Sequence, residues 1–141
     1  MGSNYQMMQM SELVFLYGCE DMTGLRTSYT YGEGMEQTTQ PYEALEKAFD
    51  RDFGTKWICK NIVKSASADE RENWWLQLNY ANRIPMDGYA WATANDSSIK
   101  TDSKGCRDLM VWKVLGSDDE VNWMELDSRS TGRLLLDRKK Y

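Results

Sequence analysis

The chain contains no histidine. That absence removes the commonest general base, the commonest zinc ligand and the side chain whose charge changes near neutral pH. A serine or cysteine nucleophile would have no imidazole to activate it, so the sequence reads as that of a non-enzyme. Cysteine is scarce and odd in number: Cys19, Cys59 and Cys106 share no paired spacing and form no zinc pattern. At least one thiol must stay free, and all three are expected to be reduced and inert. Positive charge is in deficit, with 17 Lys and Arg against 22 Asp and Glu for a net charge of -5. A general nucleic-acid binder needs the opposite balance to neutralise phosphates. The basic cluster Arg133, Arg138, Lys139 and Lys140 reads as a solvated end. No run approaches the ~20 apolar residues of a membrane span. Leu13 to Tyr17 is too short for a signal-peptide core and Met1 to Met10 has no basic region, so the expected location is the cytoplasm or an intracellular assembly. No internal repeat or low-complexity linker divides the chain.

Aromatic side chains are abundant, with 6 Trp and 8 Tyr in 141 residues. Three segments place a Trp in an alternating pattern: Trp74 to Tyr80, Asp87 to Thr93 and Met110 to Ser117. In the first, Trp74, Leu76, Leu78 and Tyr80 share one face while Trp75, Gln77 and Asn79 share the other, the period of a half-buried strand. Further strands are expected at Glu12 to Tyr17, Thr27 to Tyr31, Thr55 to Cys59 and Val121 to Leu126. Pro41 to Phe49 reads as the one short helix, with Pro41 at its first position and Tyr42, Leu45, Ala48 and Phe49 on one face. Many short strands and one helix predict an all-β, antiparallel β-sandwich. Trp57, Trp112 and Trp123 are assigned to its core. Residues 1–25 read as an N-terminal extension with an extra strand, and residues 26–141 as the sandwich domain.

Ala48-Phe49-Asp50-Arg51-Asp52 followed by Thr55-Lys56-Trp57 resembles the "A-F-D-G-D…T-K-W" element of the discoidin family, the coagulation-factor C-type and galactose-binding-like domains. Trp75-Leu76-Gln77-Leu78 is similar to its "W-I-Q-I-D-L" strand. Gly88-Tyr89, Thr93-Ala94-Asn95-Asp96 and Arg107-Asp108 resemble its "G-Y…T-A-N-D…R-D-P". Trp112, Gly116-Ser117-Asp118-Asp119, Asn122-Trp123 and Leu126-Asp127-Ser128-Arg129-Ser130 continue the match. The resemblance runs from about Gly32 to the C-terminus. It implies a jelly-roll sandwich, ligand recognition by loops at one end and a structural Ca²⁺. Arg51 stands where the family has Gly, and Leu109 where it has Pro. The family continues for some tens of residues beyond this point and supplies a late Glu. Here either the N-terminal strands replace the missing ones, or a partner chain completes the sheet, or a C-terminal edge stays open.

Asp50, Asp52 and Thr55 cluster hard oxygen atoms on one polar loop, a set suited to Ca²⁺. The competing reading is a hydrogen-bonded Asp turn without metal. Candidate ligand-binding residues are Tyr31, Trp74 and Trp91 as aromatic platforms, with Asn95 and Arg107 as directional polar partners. Core packing is the alternative for each Trp, and an internal ion pair the alternative for Arg107. The acidic residues Glu70 and Glu72 read as a solvated charge run rather than an acid–base pair. The first function expected is a non-catalytic module that recognises a glycan or a protein through loops 31–38, 61–73 and 95–107. The second is a structural subunit docked within a large ciliary, mitochondrial or viral assembly.

Overall fold

The computed structural model describes residues 5–63, 73–94, 109 and 111–130. Among these residues ten strands follow in order: β1 (Tyr5–Met10), β2 (Glu12–Tyr17), β3 (Glu20–Asp21), β4 (Ser28–Tyr31), β5 (Glu36–Gln37), β6 (Trp57–Val63), β7 (Leu76–Asn79), β8 (Gly88–Ala92), β9 (Val111–Gly116) and β10 (Met124–Ser130). They form four antiparallel groups, β1-β6-β5, β3-β2-β8, β4-β7 and β10-β9. The protein is an all-β, antiparallel sandwich, as the alternating pattern predicts.

β1 and β2 are one ribbon bent at Ser11. Before the bend, Met10 pairs with Trp57 of β6. After it, Glu12 pairs with Ala92 of β8. The ribbon therefore leaves one sheet and enters another within a single residue. Ser11 is fully buried, and its N–H donates to the Ala92 carbonyl at 2.9 Å. The N-terminal residues are thus built into the sheets that residues 57–94 form.

β6 lies between β1 and β5 and is covered on both faces, so Trp57, Ile58 and Cys59 are all buried in succession. Met10, Met35, Leu45, Ala48, Trp57 and Cys59 form the core cluster, with Leu13, Tyr29, Phe49, Trp74, Leu76, Trp91 and Leu109 packed around it. Trp57 is 1% exposed, and its indole N–H donates to Gln37 Oε1 at 2.7 Å. A buried indole needs such a partner, because its orphaned donor would cost about 1–3 kcal/mol.

Two expectations are corrected. Pro41 to Phe49 is not one helix but two 3₁₀ segments, Pro41–Glu43 and Leu45–Phe49, divided by Ala44 in an extended conformation. With three residues per turn, Leu45 and Ala48 fall on one line and are buried, while Tyr42 faces solvent. Trp123 lies outside the core at 44% exposed, because β10 starts only at Met124 and residues 117–123 form a turn. Within that turn the Asp119 carboxylate accepts the N–H groups of Val121 and Asn122, at 2.9 and 2.7 Å. Trp112 is half-buried and meets Trp91 edge to face, with ring centres 5.5 Å apart. Among the described residues no helix is long and apolar enough to cross a membrane.

Candidate functional site

β6 separates two regions, one acidic and one aromatic. The loop 50–55 lies before its first residue. The turn 32–35 lies beyond its far half, since Glu36 and Gln37 pair back onto Lys60 and Cys59.

At the first region, the loop is a self-bonded acidic turn. Asp50 Oδ1 accepts the Asp52 N–H at 3.0 Å, and Asp50 Oδ2 accepts the Thr55 hydroxyl at 2.7 Å. Asp52 Oδ1 accepts the Gly54 N–H at 2.8 Å. The ribbon bend clasps this turn from the other side. Ser11 Oγ lies 3.0 Å from the Phe53 carbonyl and 2.9 Å from the Thr55 carbonyl, sharing its one proton between them. Glu12 is 4% exposed, and its Oε1 accepts the Asp52 N–H at 3.1 Å. Its carboxyl is also hydrogen-bonded to Asp50.

Burial pushes the Glu12 carboxyl up to about 7, helped by the hydrogen bond to Asp50 and repulsion from its charge. Asp50 loses some hydration too. Its bonds from Thr55, Asp52 and Glu12, and the Lys47 ammonium 3.6 Å away, still hold it below the usual carboxylate range. Glu12 therefore keeps its proton until the pH approaches neutrality, with Asp50 as its hydrogen-bond partner. Arg51 adopts a left-handed backbone, with φ at 61°, and its guanidinium pairs with Asp21 Oδ2 at 3.0 Å. The Gly in the resembled motif would take that conformation without strain.

Asp50, Asp52 and Thr55 are together, as their spacing suggests, and the structure adds Glu12. Nothing local in the sequence links Glu12 to this loop, since the contact depends on the bend at Ser11. Among the described residues no group of three or more Cys, Asp or Glu side chains is disposed to hold a metal ion. The oxygens of this loop accept hydrogen bonds from the chain itself: the Phe53 and Thr55 carbonyls from Ser11, Asp50 from Asp52 and Thr55, and Asp52 from Gly54.

The second region is aromatic. Tyr31 ends β4 opposite Leu76, and the chain turns at Gly32. The Gly32 N–H donates to the Trp75 carbonyl at 3.0 Å. A Cβ on Gly32 would lie 2.0 Å from the Asn73 carbonyl oxygen, so only glycine fits. A Cβ on Gly34 would lie 3.0 Å from the Trp74 indole. Trp75 is 44% exposed and Tyr31 41% exposed, while Gly32 between their segments is buried. Trp74 is half-buried, leans on the core and turns its pyrrole edge to Gly34. Trp75 was not a candidate from sequence, although a Trp-Trp pair in a period-two strand must send one ring each way.

The candidate ligand residues do not form one group. Tyr31 and Trp74 lie at the turn, with Trp75. Trp91 sits opposite Leu13 in the β2–β8 ladder, one step from Glu12, and packs on Trp112 and the core. Trp112 Nε1 donates to the Tyr89 hydroxyl at 2.7 Å, which donates to Asp127 Oδ2 at 2.6 Å. Asn95 and Arg107 lie outside the described residues, as do Glu70, Glu72 and Cys106. Cys59 is fully buried, which pushes its thiol up to about 12, while Cys19 is exposed. The chain matches no family model, no curated protein and no solved structure.

Proposed function

We propose that the chain is a non-catalytic, discoidin-like binding module, with a jelly-roll arrangement of its sandwich, that takes a glycan at the end formed by the turn 32–35 and residues 73–75. One observation carries this reading: two exposed aromatic rings, Tyr31 and Trp75, adjoin a turn whose glycines let Asn73 and Trp74 pack directly against it. Pyranose rings have apolar C–H faces that stack on exposed aromatic rings. Glu33 and Asn73, both exposed beside the rings, supply polar groups for hydroxyls. The test is titration of the full chain against a glycan array followed by tryptophan fluorescence. Trp75→Ala should abolish the signal and Trp91→Phe should retain it. Equal binding by Trp75→Ala, or no binding by any glycan, defeats the reading.

The same reading includes a structural Ca²⁺ at the loop 50–55, drawing on Asp50, Asp52 and Thr55 with Glu12 beside them. It would neutralise their carboxylates and tie the ribbon bend to the loop. EDTA should then lower the melting temperature, Ca²⁺ should restore it, and Glu12→Gln should remove the response. An EDTA-insensitive melt excludes the metal.

A second reading, a docking block in a larger assembly, is favoured by the β9–β10 hairpin. Val121, Met124 and Leu126 are 78%, 68% and 61% exposed there, with Trp123 beside them. An apolar group of this kind marks an interaction surface more often than chance exposure does. Binding of a hydrophobic dye should fall in the double variant Met124→Ser, Leu126→Ser; unchanged dye binding removes this reading.

A further inference from the structure

We infer that the free edge of β10 is a docking strand for an extended segment of another protein, one that alternates apolar and basic side chains. This rests on the second reading above and supplies the partner's chemistry. Among the described residues β10 pairs with β9 alone. Among the described residues no strand lies on its other edge, whose main-chain N–H and C=O groups a foreign strand can satisfy. β10 has no Pro, and its charged residues are engaged within the hairpin, Glu125 with Lys113 and Asp127 with Arg129, rather than left free to guard the edge. A bulge at Leu126 breaks the ladder between Glu125 and Asp127, so the regular edge runs from Asp127 to Ser130. Met124 and Leu126 stand beside that edge as exposed apolar anchors. Leu126 rests over Gly116, where a Cβ would lie 3.0 Å from its Cδ1.

Charge selects the partner's sign. Asp118 is matched by Arg83 at 2.6 Å and Glu125 by Lys113 at 3.3 Å. Glu120 forms no ion pair among the described residues. Asp119 meets only uncharged donors of its own turn, from Val121, Asn122 and Ser117. Those donors hold its carboxyl well below the usual range, so it stays ionised. Among the described residues these two negative charges have no basic partner, and they adjoin Val121, Trp123 and Met124. An incoming strand with basic residues between apolar ones answers both features. An acidic strand would be repelled.

Two synthetic decapeptides test this on the full chain, one alternating Leu and Lys and the other Leu and Glu. The Leu–Lys peptide should bind, shift tryptophan emission to the blue and protect β10 amides from hydrogen exchange. Leu126→Ser should weaken it about tenfold, the worth of one partly buried Leu. Glu120→Lys should weaken it and steepen nothing in the dye assay. Binding without β10 amide protection overturns the edge pairing, and equal binding of both peptides overturns the charge selection. Binding of neither overturns the inference outright. Concentration-dependent dimerisation that excludes the peptide assigns the edge to a second copy and also overturns it. If dye binding depends on Met124 and Leu126 but the peptides fail, only this inference falls; if the dye test fails, the docking reading falls as well.

Discussion

Replacing Glu12 by Gln should abolish a pH dependence of stability that the wild-type chain shows in metal-free buffer. Glu12 has a folded value of about 7 against an ordinary value of 4.5. A carboxyl raised in the folded state contributes stability that is fully present below its unfolded value and lost as pH rises through its folded one. A shift of ~2.5 units is worth ~3.4 kcal/mol as a ceiling, and linkage places ~2.5 kcal/mol of the loss between about pH 5 and pH 8. Physically, removing the Glu12 proton leaves two carboxylates side by side, one of them cut off from water. The window is unusually clean because the chain has no histidine to titrate within it. The lowered carboxyls of Asp21, Glu46 and Asp50 act at lower pH and in the opposite sense, losing stability as pH falls. Gln reproduces the protonated form, since its amide can donate to Asp50 while its oxygen accepts the Asp52 N–H. Urea unfolding in EDTA, followed by tryptophan fluorescence, is the assay. The wild type should weaken by up to ~2.5 kcal/mol across the window while Glu12→Gln stays flat and is the more stable protein at about pH 8. A flat wild-type curve, or a variant that falls in parallel with it, refutes the raised Glu12 carboxyl.

Other perturbations give sharper local readings. Glu120 adopts φ of 61°, so Glu120→Gly should raise stability by about 1 kcal/mol in thermal melts. Arg51→Gly relieves the same strain but loses the Asp21 pair, and its melt should stay near that of the wild type. Trp57→Ala removes the most buried indole and should cost about 3–5 kcal/mol in urea unfolding. Gly32→Ala should cost several kcal/mol because its Cβ would strike the Asn73 carbonyl; a tolerated substitution would mean the turn is loosely held. In a Cys106→Ser background, a thiol reagent should modify Cys19 at once and Cys59 only as the protein unfolds.

The strands were legible where side chains alternate between layers: Leu76–Asn79 and Gly88–Ala92 fall inside the segments that the pattern marks. The acidic loop was legible too, because Asp50 and Thr55 bond to each other within one short turn. Pro41 to Phe49 misled because spacings of three and four fit a helix, while burial of only Leu45 and Ala48 needs a tighter winding. Trp123 misled because an aromatic residue at the foot of a hairpin has the same neighbours in sequence as one inside a strand. Glu12 was invisible as a member of the acidic loop. Its place depends on two long-range pairings, Met10 with Trp57 and Glu12 with Ala92, which no local period encodes.

The bend at Ser11 also ties distant parts of the chain to one another. The far end of β2 finds a near neighbour in β3, but β1 depends on Trp57 and the start of β2 on Ala92. A topology so rich in distant contacts assembles slowly. Once seated, the ribbon staples two layers through one residue, so loosening either layer strains the register of the other.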